Sequence, residues 1–536
     1  MCLSSYYFNQ EFSKVKGELE TIFSIKFSCY LESTKEQTYE FSYTGKNLKL
    51  SFSSYNIGLF ALNNLKLAIK GKKIFSVLGR HFSEVENKIL MLNGTYPTKV
   101  EENLFIFLPP IFCSSFEEFE TFCLRIVEIG YNSIIFTKGK AIEIDKDIDL
   151  QWMETFKKFG IKVFFKFFKK NEEKNFVNCF DPSNLSNFLS KDFVKGVFWE
   201  ATSNFSDAHQ KYFLNDCTYL DLIKDEISSL QNTIPKNIDI IYQISIEPIK
   251  DIIDDYWLKQ LCCLTSKRCT VAYSWFEGDF LEEYKSENFF IKFWKYNLYS
   301  HHYRFYPLLN TGSINLGEGL WPVIRKKTYE LVHKSLNNGL KGFIAVSNGF
   351  PQKYSFLDFS LWLNACASWK SPSINYLFDL LITIFNGDAG DDFVGWFEEV
   401  EKYVLKLNWI KSLHFESQRE QICVEEYKMH AEIMVVKLKE LENNLIKILD
   451  KKEKNDIYHY FTFFKKDAKR ILLNFSHFFR LPNQNFIQEE DTLTSFWSEF
   501  SSLDKKTSQE IRFFEKPNIV QQPIDLKSYF YKARLF

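Results

Sequence analysis

The stretch that decides the fold lies at positions 196–200 and reads Gly196-Val197-Phe198-Trp199-Glu200. It is a short apolar run, typical of a buried strand, and it ends in an acid beside a large aromatic residue. Runs of this kind alternate with longer amphipathic stretches about eight times between Leu104 and Ser347. Strands that alternate with helices in this way predict a (β/α)₈ TIM barrel, in which functional side chains sit at the carboxyl ends of the strands.

Several of the predicted barrel strands are apolar on both faces, as parallel strands covered by helices should be. Gly130 and Gly160 fall where a helix should end before the next strand, which is a common use of glycine. Phe356–Ala367 is predicted as the last helix of the barrel. The eight predicted strands are Leu104–Leu108, Ser133–Phe136, Lys162–Phe167, Gly196–Trp199, Ile238–Ile246, Thr270–Trp275, Phe305–Leu309 and Gly342–Val346.

The expected fold class is α/β, a barrel with a smaller domain on each side. Residues 1–95 are predicted to form an α+β domain, because Tyr39–Tyr43 and Leu48–Phe52 alternate strictly around a turn at Thr44–Asn47, which indicates a hairpin. Glycines and charges from Gly71 to Thr98 indicate a connecting region. The barrel is expected over residues 100–370, a helical domain over 371–480, where strand signals stop, and an irregular tail over 481–536.

Composition limits the function classes. Hydrophobic residues make up 45% and charged residues 25% of the 536, which is typical of a globular protein. Lys+Arg number 67 and Asp+Glu 68, so charge gives no reason to expect a nucleic-acid partner. The chain has no apolar run of the ~20 residues that a membrane helix needs and no secretory signal pattern, so a cytoplasmic protein without a membrane partner is expected.

Specific motifs for cofactors and metals are missing from the sequence. The 11 cysteines are scattered without a CxxC pair, which argues against structural zinc of the common kind and suits reduced thiols. Glycine-rich nucleotide loops, a GxSxG elbow and an HExxH pair are also missing. The prediction is therefore a protein with no metal site and no cofactor.

The C-terminal part carries one helical stripe with spacings of four and three residues, as in a short coiled coil. It could pack as a hairpin that buttresses the barrel, or it could join two copies of the chain in a homodimer. The sequence leaves both open. The stripe consists of Met434, Leu438, Leu441, Leu445 and Ile448.

Three segments resemble known exo-glycosidases. Tyr39–Leu67, with its hairpin and following helix, is similar to the N-terminal domain that β-N-acetylhexosaminidases and microbial α-glucuronidases carry before a TIM barrel. Phe122–Phe136, which contains Gly-Tyr-Asn-Ser-Ile, resembles their early barrel element. Leu361–Asn386 looks like the α-glucuronidase segment that closes the barrel and opens a helical domain.

The resemblance implies a glycoside hydrolase that removes a terminal sugar, such as a uronic acid, from an oligosaccharide. Hexosaminidases have an adjacent Asp-Glu pair after the fourth strand, whereas this chain has Trp199-Glu200. Chemistry assisted by a substrate acetamido group is therefore not expected, and the α-glucuronidase pattern is easier to accommodate. The alternative is a diverged barrel that has lost catalysis and binds carbohydrate or a protein partner.

Glycoside hydrolysis needs a proton donor and a second carboxylate. Glu200 is the candidate acid, because desolvation beside Trp199 and Phe198 would raise its pKa. Glu318, in a glycine-rich loop after the seventh strand, and Glu277, after the sixth, are the candidates for the base or nucleophile. The sequence does not choose between them or decide between retention and inversion.

Further residues near the same strand ends are expected to bind the substrate. Indole rings can stack on the apolar faces of sugars, although each tryptophan could equally belong to the packing of the barrel. The predicted substrate-binding residues are Trp199, Trp275, Trp321, Asn310 and Asp279.

Overall fold

The structure is a computed structural model, and it describes the chain in part. Of some positions inside helices and strands it describes the backbone alone. The described residues are 3–70, 73–92, 98–101, 104–107, 111–113, 116–137, 150–167, 194–200, 216–244, 260, 263–266, 268–274, 305–310, 333, 340–347 and 356–370. The expected helical domain, the tail and the stripe from Met434 to Ile448 lie outside them.

The N-terminal part is a sheet covered by two helices. Its elements are α1 (Leu3–Phe23), β1 (Lys26–Leu31), β2 (Gln37–Thr44), β3 (Asn47–Phe52), α2 (Tyr55–Lys70), a 3₁₀ turn (Ile74–Val77) and β4 (Gly79–Ser83). The sheet has the order β1-β3-β2-β4, with β1 parallel to β3 and the other pairs antiparallel. The predicted hairpin is confirmed, since Tyr39 pairs with Phe52 and Thr44 with Asn47, and Gly45 takes the positive φ that the turn requires.

Eight parallel strands close into a barrel, and this confirms the predicted fold class. The strands are β5 (Asn87–Leu92), β9 (Ser133–Thr137), β10 (Lys162–Phe167), β11 (Val194–Glu200), β12 (Asp239–Ile244), β13 (Cys269–Ser274), β14 (Phe305–Asn310) and β15 (Gly342–Ser347). The ring follows chain order and closes where β15 pairs with β5. Seven of the predicted barrel strands are present at the expected places.

The prediction of the first barrel strand was wrong. Three strands that follow β5 in the chain, β6 (Thr98–Glu101), β7 (Leu104–Phe107) and β8 (Ile111–Cys113), form a separate antiparallel sheet with β7 in the middle. The first barrel strand is β5, inside the stretch from Gly71 to Thr98 that was expected to be a connection. The sequence misled because β5 contains the charged Lys88, whereas the Leu-Phe-Ile-Phe of β7 has the stronger apolar signal.

Helices surround the barrel, and the glycines that end two of them behave as predicted. Gly130 and Gly160 have positive φ values of 97° and 68°, which glycine adopts without strain. The predicted last helix, Phe356–Ala367, is confirmed. The other described helices around the barrel are Phe116–Glu128, Leu150–Lys158 and Asp216–Thr233. None of the helices in the described part of the chain combines the length and the hydropathy of a bilayer-spanning segment.

Two glycines let aromatic rings fill the inside of the barrel. A Cβ atom on Gly196 would lie 2.5 Å from the ring of Phe164, and one on Gly342 would lie 2.5 Å from the ring of Tyr306. Below these rings, at the amino end of the barrel, Asn87 accepts a hydrogen bond from Lys162 (3.0 Å) and donates one to the Tyr306 hydroxyl (2.7 Å). The amino half of the barrel is thus filled by side chains that pack and hydrogen-bond with one another.

Candidate functional site

The residues on the inward face of the barrel change from apolar to polar toward the carboxyl ends of the strands. The buried core inside the ring includes Ile135 on β9, Phe164 on β10, Phe198 on β11, Ile241 on β12 and Ala272 on β13. Residues two apart on a strand share one face. The next position on that face, at the carboxyl end of each strand, is polar in six strands: Thr137, Lys166, Glu200, Gln243, Ser274 and Asn310.

This change is what a functional site in a parallel barrel requires. The carboxyl ends of all the strands open on the same face, so the six polar positions form one ring around the mouth. Beneath them, the core residues of this face are almost fully buried and exclude water. A ligand at the mouth would therefore meet polar groups above a dry floor, which is the usual arrangement of a small-molecule site.

Glu200 lies within this ring. It is the last residue of β11, it is in phase with Phe198, and its register partner on β12 is Gln243. Gln243 is partly exposed, and its amide can both donate and accept hydrogen bonds. The backbone thus brings the predicted acid position to the mouth.

Trp199 was also predicted for this site, and the structure corrects that prediction. Trp199 is fully buried and takes the opposite phase to Phe198. Its register partner Tyr242 donates a hydrogen bond of 2.6 Å to Glu226 on the helix Asp216–Thr233, so this face of the sheet packs against the outer helices. Trp199 therefore cannot stack on a ligand in the mouth.

Lys166 is a residue of the mouth that the sequence analysis missed. It pairs in register with Phe198 and with Thr137 on the two neighbouring strands. The residue is 7% exposed, and its Nζ lies 5.6 Å from the centroid of the Phe198 ring. The signal was present in Lys-Val-Phe-Phe-Lys-Phe, because Lys166 stands two residues beyond the inward Phe164.

The remaining predicted residues divide into two groups. Asn310 ends β14, pairs with Val346 and is in phase with the buried Leu308, so its position belongs to the ring. Five others lie outside the described residues: Glu277, Asp279, Trp275, Glu318 and Trp321. The part of the chain that the structure describes gathers no group of three or more His, Cys, Asp or Glu side chains that could hold a metal ion.

Comparison with known proteins assigns the chain to no family. No protein-family model matches the chain, and no curated protein is similar enough to count as a match. Among solved structures, a GH138 enzyme targeting pectin rhamnogalacturonan II has 11% identity and a TM-score of 0.47, over 91% of this chain and 71% of that one. A family 89 glycoside hydrolase from Clostridium perfringens has 10% identity and a TM-score of 0.44, over 92% and 63%.

A GH20 exo-β-N-acetylglucosaminidase from Vibrio harveyi has 10% identity and a TM-score of 0.37, over 69% of this chain and 72% of that one. Identities and TM-scores this low do not assign the chain to any of their families, so its function has to be argued from its own residues.

Proposed function

We propose that the protein is a glycoside hydrolase that removes a terminal sugar, in particular a uronic acid, from an oligosaccharide. The observation that carries the proposal is the polar ring at the barrel mouth, with Glu200 at the end of β11 in phase with Phe198. An acid at this place, above a dry apolar floor, suits chemistry that transfers a proton to a glycosidic oxygen.

In the proposed mechanism Glu200 protonates the leaving oxygen while a second carboxylate acts on the anomeric carbon or on a water molecule. Glu277, three residues beyond β13, and Glu318, in the loop after β14, are the candidates for this second role. Asn310 and Asp279 would hold the sugar, with Trp275 and Trp321 as its stacking surfaces. Gln243, next to Glu200 in register, adds an amide that can bind a sugar hydroxyl.

The test is hydrolysis of aryl glycosides and aryl uronosides by wild type and by Glu200→Gln. Loss of a general acid should lower kcat on poorly activated leaving groups by about 10²- to 10⁴-fold. The defect should shrink on a dinitrophenyl leaving group, which departs without a proton. Glu154→Gln, at an exposed position of the helix Leu150–Lys158, is the matched control and should act like wild type.

A Glu200→Gln variant that keeps full activity on every leaving group would remove Glu200 from the proposal. A wild type that cleaves nothing but binds sugars on a glycan array would favour the alternative, a barrel that binds carbohydrate without cleaving it. A protein that neither cleaves nor binds any of these sugars would instead be expected to act on a protein partner.

A further inference from the structure

The two edge strands of the N-terminal sheet have different surroundings. At one edge, β4 is covered, because the backbone N–H of Lys370 donates a hydrogen bond of 3.0 Å to the carbonyl oxygen of Phe82. At the other edge, β1 pairs with β3 alone among the strands that the structure describes. Tyr30 and Leu31 of β1 are 44% and 49% exposed. The side of β1 that faces away from β3, called the open edge below, presents a row of backbone groups that can pair with another strand.

The residues whose backbone groups point to the open edge follow from the hydrogen bonds to β3. The N–H groups of Lys26 and Glu32 each donate a hydrogen bond of 2.8 Å to a carbonyl oxygen of β3 or of the turn before it. The even-numbered residues of β1 therefore direct their backbone groups to β3. Because this direction alternates along a strand, the N–H and C=O groups of Phe27, Cys29 and Leu31 point to the open edge.

The middle of β1 lacks the features that usually keep an edge strand from pairing. Natural edge strands are protected by lysine, proline or a bulge. Positions 27–31 read Phe-Ser-Cys-Tyr-Leu, with no charge and no proline, and their pairing with β3 runs without a bulge. The charges stand at the two ends instead, with Lys26 at the start of the strand and Glu32 directly after its last residue. A strand of this kind favours pairing along its open edge.

The positions of the two charges indicate which strand fits beside β1. When β1 is placed antiparallel to a copy of itself, centred on Cys29, Lys26 lies opposite Glu32 of the second copy and Phe27 lies opposite Leu31. In this register the odd-numbered residues form the hydrogen-bonded pairs, as the direction of their backbone groups requires. Lys26 and Glu32 form the other kind of pair, in which the Cα atoms are only ~4.5 Å apart and side chains approach closely. A two-fold axis repeats every contact, as in an isologous dimer.

We propose that the open edge of β1 is the interface of a homodimer, in which the β1 strands of two copies pair antiparallel about Cys29. The pairing joins the two four-stranded sheets into one continuous sheet. Two opposite-charge pairs, each between Lys26 of one copy and Glu32 of the other, fix the register, and the exposed Leu31 is covered. This interface is independent of the proposed function, and it differs from the C-terminal stripe that the sequence alone offers for a homodimer.

Sedimentation equilibrium of the full chain measures the dissociation constant of the dimer for wild type and for charge variants. Lys26→Glu places like charges opposite each other twice in the dimer and should raise the dissociation constant about 10- to 100-fold. Glu32→Lys should have the same effect. The double variant restores two opposite-charge pairs and should return the dissociation constant close to that of wild type. Lys73→Glu, at an exposed position beside the opposite edge of the sheet, is the matched control and should leave it unchanged.

Recovery in the double variant is the decisive readout, because damage to the fold by one charge reversal would not be repaired by a second. A wild type that stays monomeric over the whole concentration range would overturn the proposal. Single variants that dimerise like wild type would also overturn it, and Leu438→Glu would then test the C-terminal stripe. Weakened single variants without recovery in the double variant would refute the pairing about Cys29.

Discussion

Replacing Lys88 with methionine is expected to change how the stability of the protein depends on pH. Lys88 lies on β5, is 2% exposed and donates a hydrogen bond of 2.5 Å to Gln37 on β2. Its Nζ is 4.7 Å from the centroid of the Trp369 ring. Desolvation lowers the pKa of Lys88 to about 7.

The direction of this pH dependence follows from the number of protons that Lys88 binds in the folded and unfolded states. Between pH ~7 and ~10.4 the unfolded chain carries a proton on Lys88 that the folded protein lacks, so the free energy of unfolding rises with pH. The contribution is complete above the pKa of the unfolded chain and is lost as the pH falls through about 7. From pH 7 to pH 9 it amounts to about 2 kcal/mol, at ~1.4 kcal/mol per pH unit.

Methionine has similar bulk and no titrating group, so the Lys88→Met variant should lack this term. Urea unfolding of both proteins at pH 7, 8 and 9 measures it, because all other titrating groups cancel in the difference at matched pH. Wild type should gain about 2 kcal/mol on the variant across this range. Lys46→Met, at an exposed position of the turn between β2 and β3, should track wild type at every pH. Parallel curves for wild type and Lys88→Met would refute the argument that Lys88 is desolvated in the folded protein.

Two further predictions concern stability. Gly196→Ala should destabilise the barrel by about 1–3 kcal/mol, because the new Cβ would lie 2.5 Å from both the Phe164 ring and the backbone oxygen of Asp239. Gly17→Ala, in open space on α1, should instead stabilise by up to ~1 kcal/mol. Thermal unfolding compares the two variants, and an equal response would show that the space beside Gly196 does not matter. Burial pushes the pKa of Glu11 up, but its interactions with Lys66 and Lys14 outweigh this and leave the pKa below its usual value. Ionised Glu11 therefore stabilises the fold at pH values above its unfolded pKa, and this stabilisation is lost in acid. Glu11→Gln should be less stable than wild type at pH 7, and the urea midpoints of the two proteins should converge below about pH 4. A difference between the midpoints that stays constant with pH would contradict the assignment.

The sequence predicted the barrel well because several of its strands are apolar on both faces and are separated by helices that end at glycines. Because of the same property, the sequence does not show which face of each strand points into the barrel. In Gly196-Val197-Phe198-Trp199-Glu200 apolar residues occupy both faces, so no alternation distinguishes the face of Phe198 from that of Trp199. The inward face is decided by packing across strands, in which the ring of Phe164 occupies the space that Gly196 leaves.

The polar ring could be located from the sequence only once the inward face was known. Counting two residues beyond each inward core residue finds Lys166 and Gln243, which have no motif of their own. The first barrel strand was missed for another reason. Lys88 is buried by contacts with Gln37 and Trp369, which are far away in the chain, and a hydropathy pattern cannot register such contacts.

The pairing of β5 with β15 has a consequence for how the chain is made. Leu92 is synthesised early, but its partner Ser347 leaves the ribosome much later, and the Trp369 ring that covers Lys88 later still. During that interval β5 lacks its partner, and an unpaired strand invites association with other chains. A hydrated, positively charged Lys88 on the waiting strand discourages such association. We therefore expect Lys88, whose burial lowers the stability of the folded barrel near neutral pH, to oppose association of the nascent chain until the barrel closes.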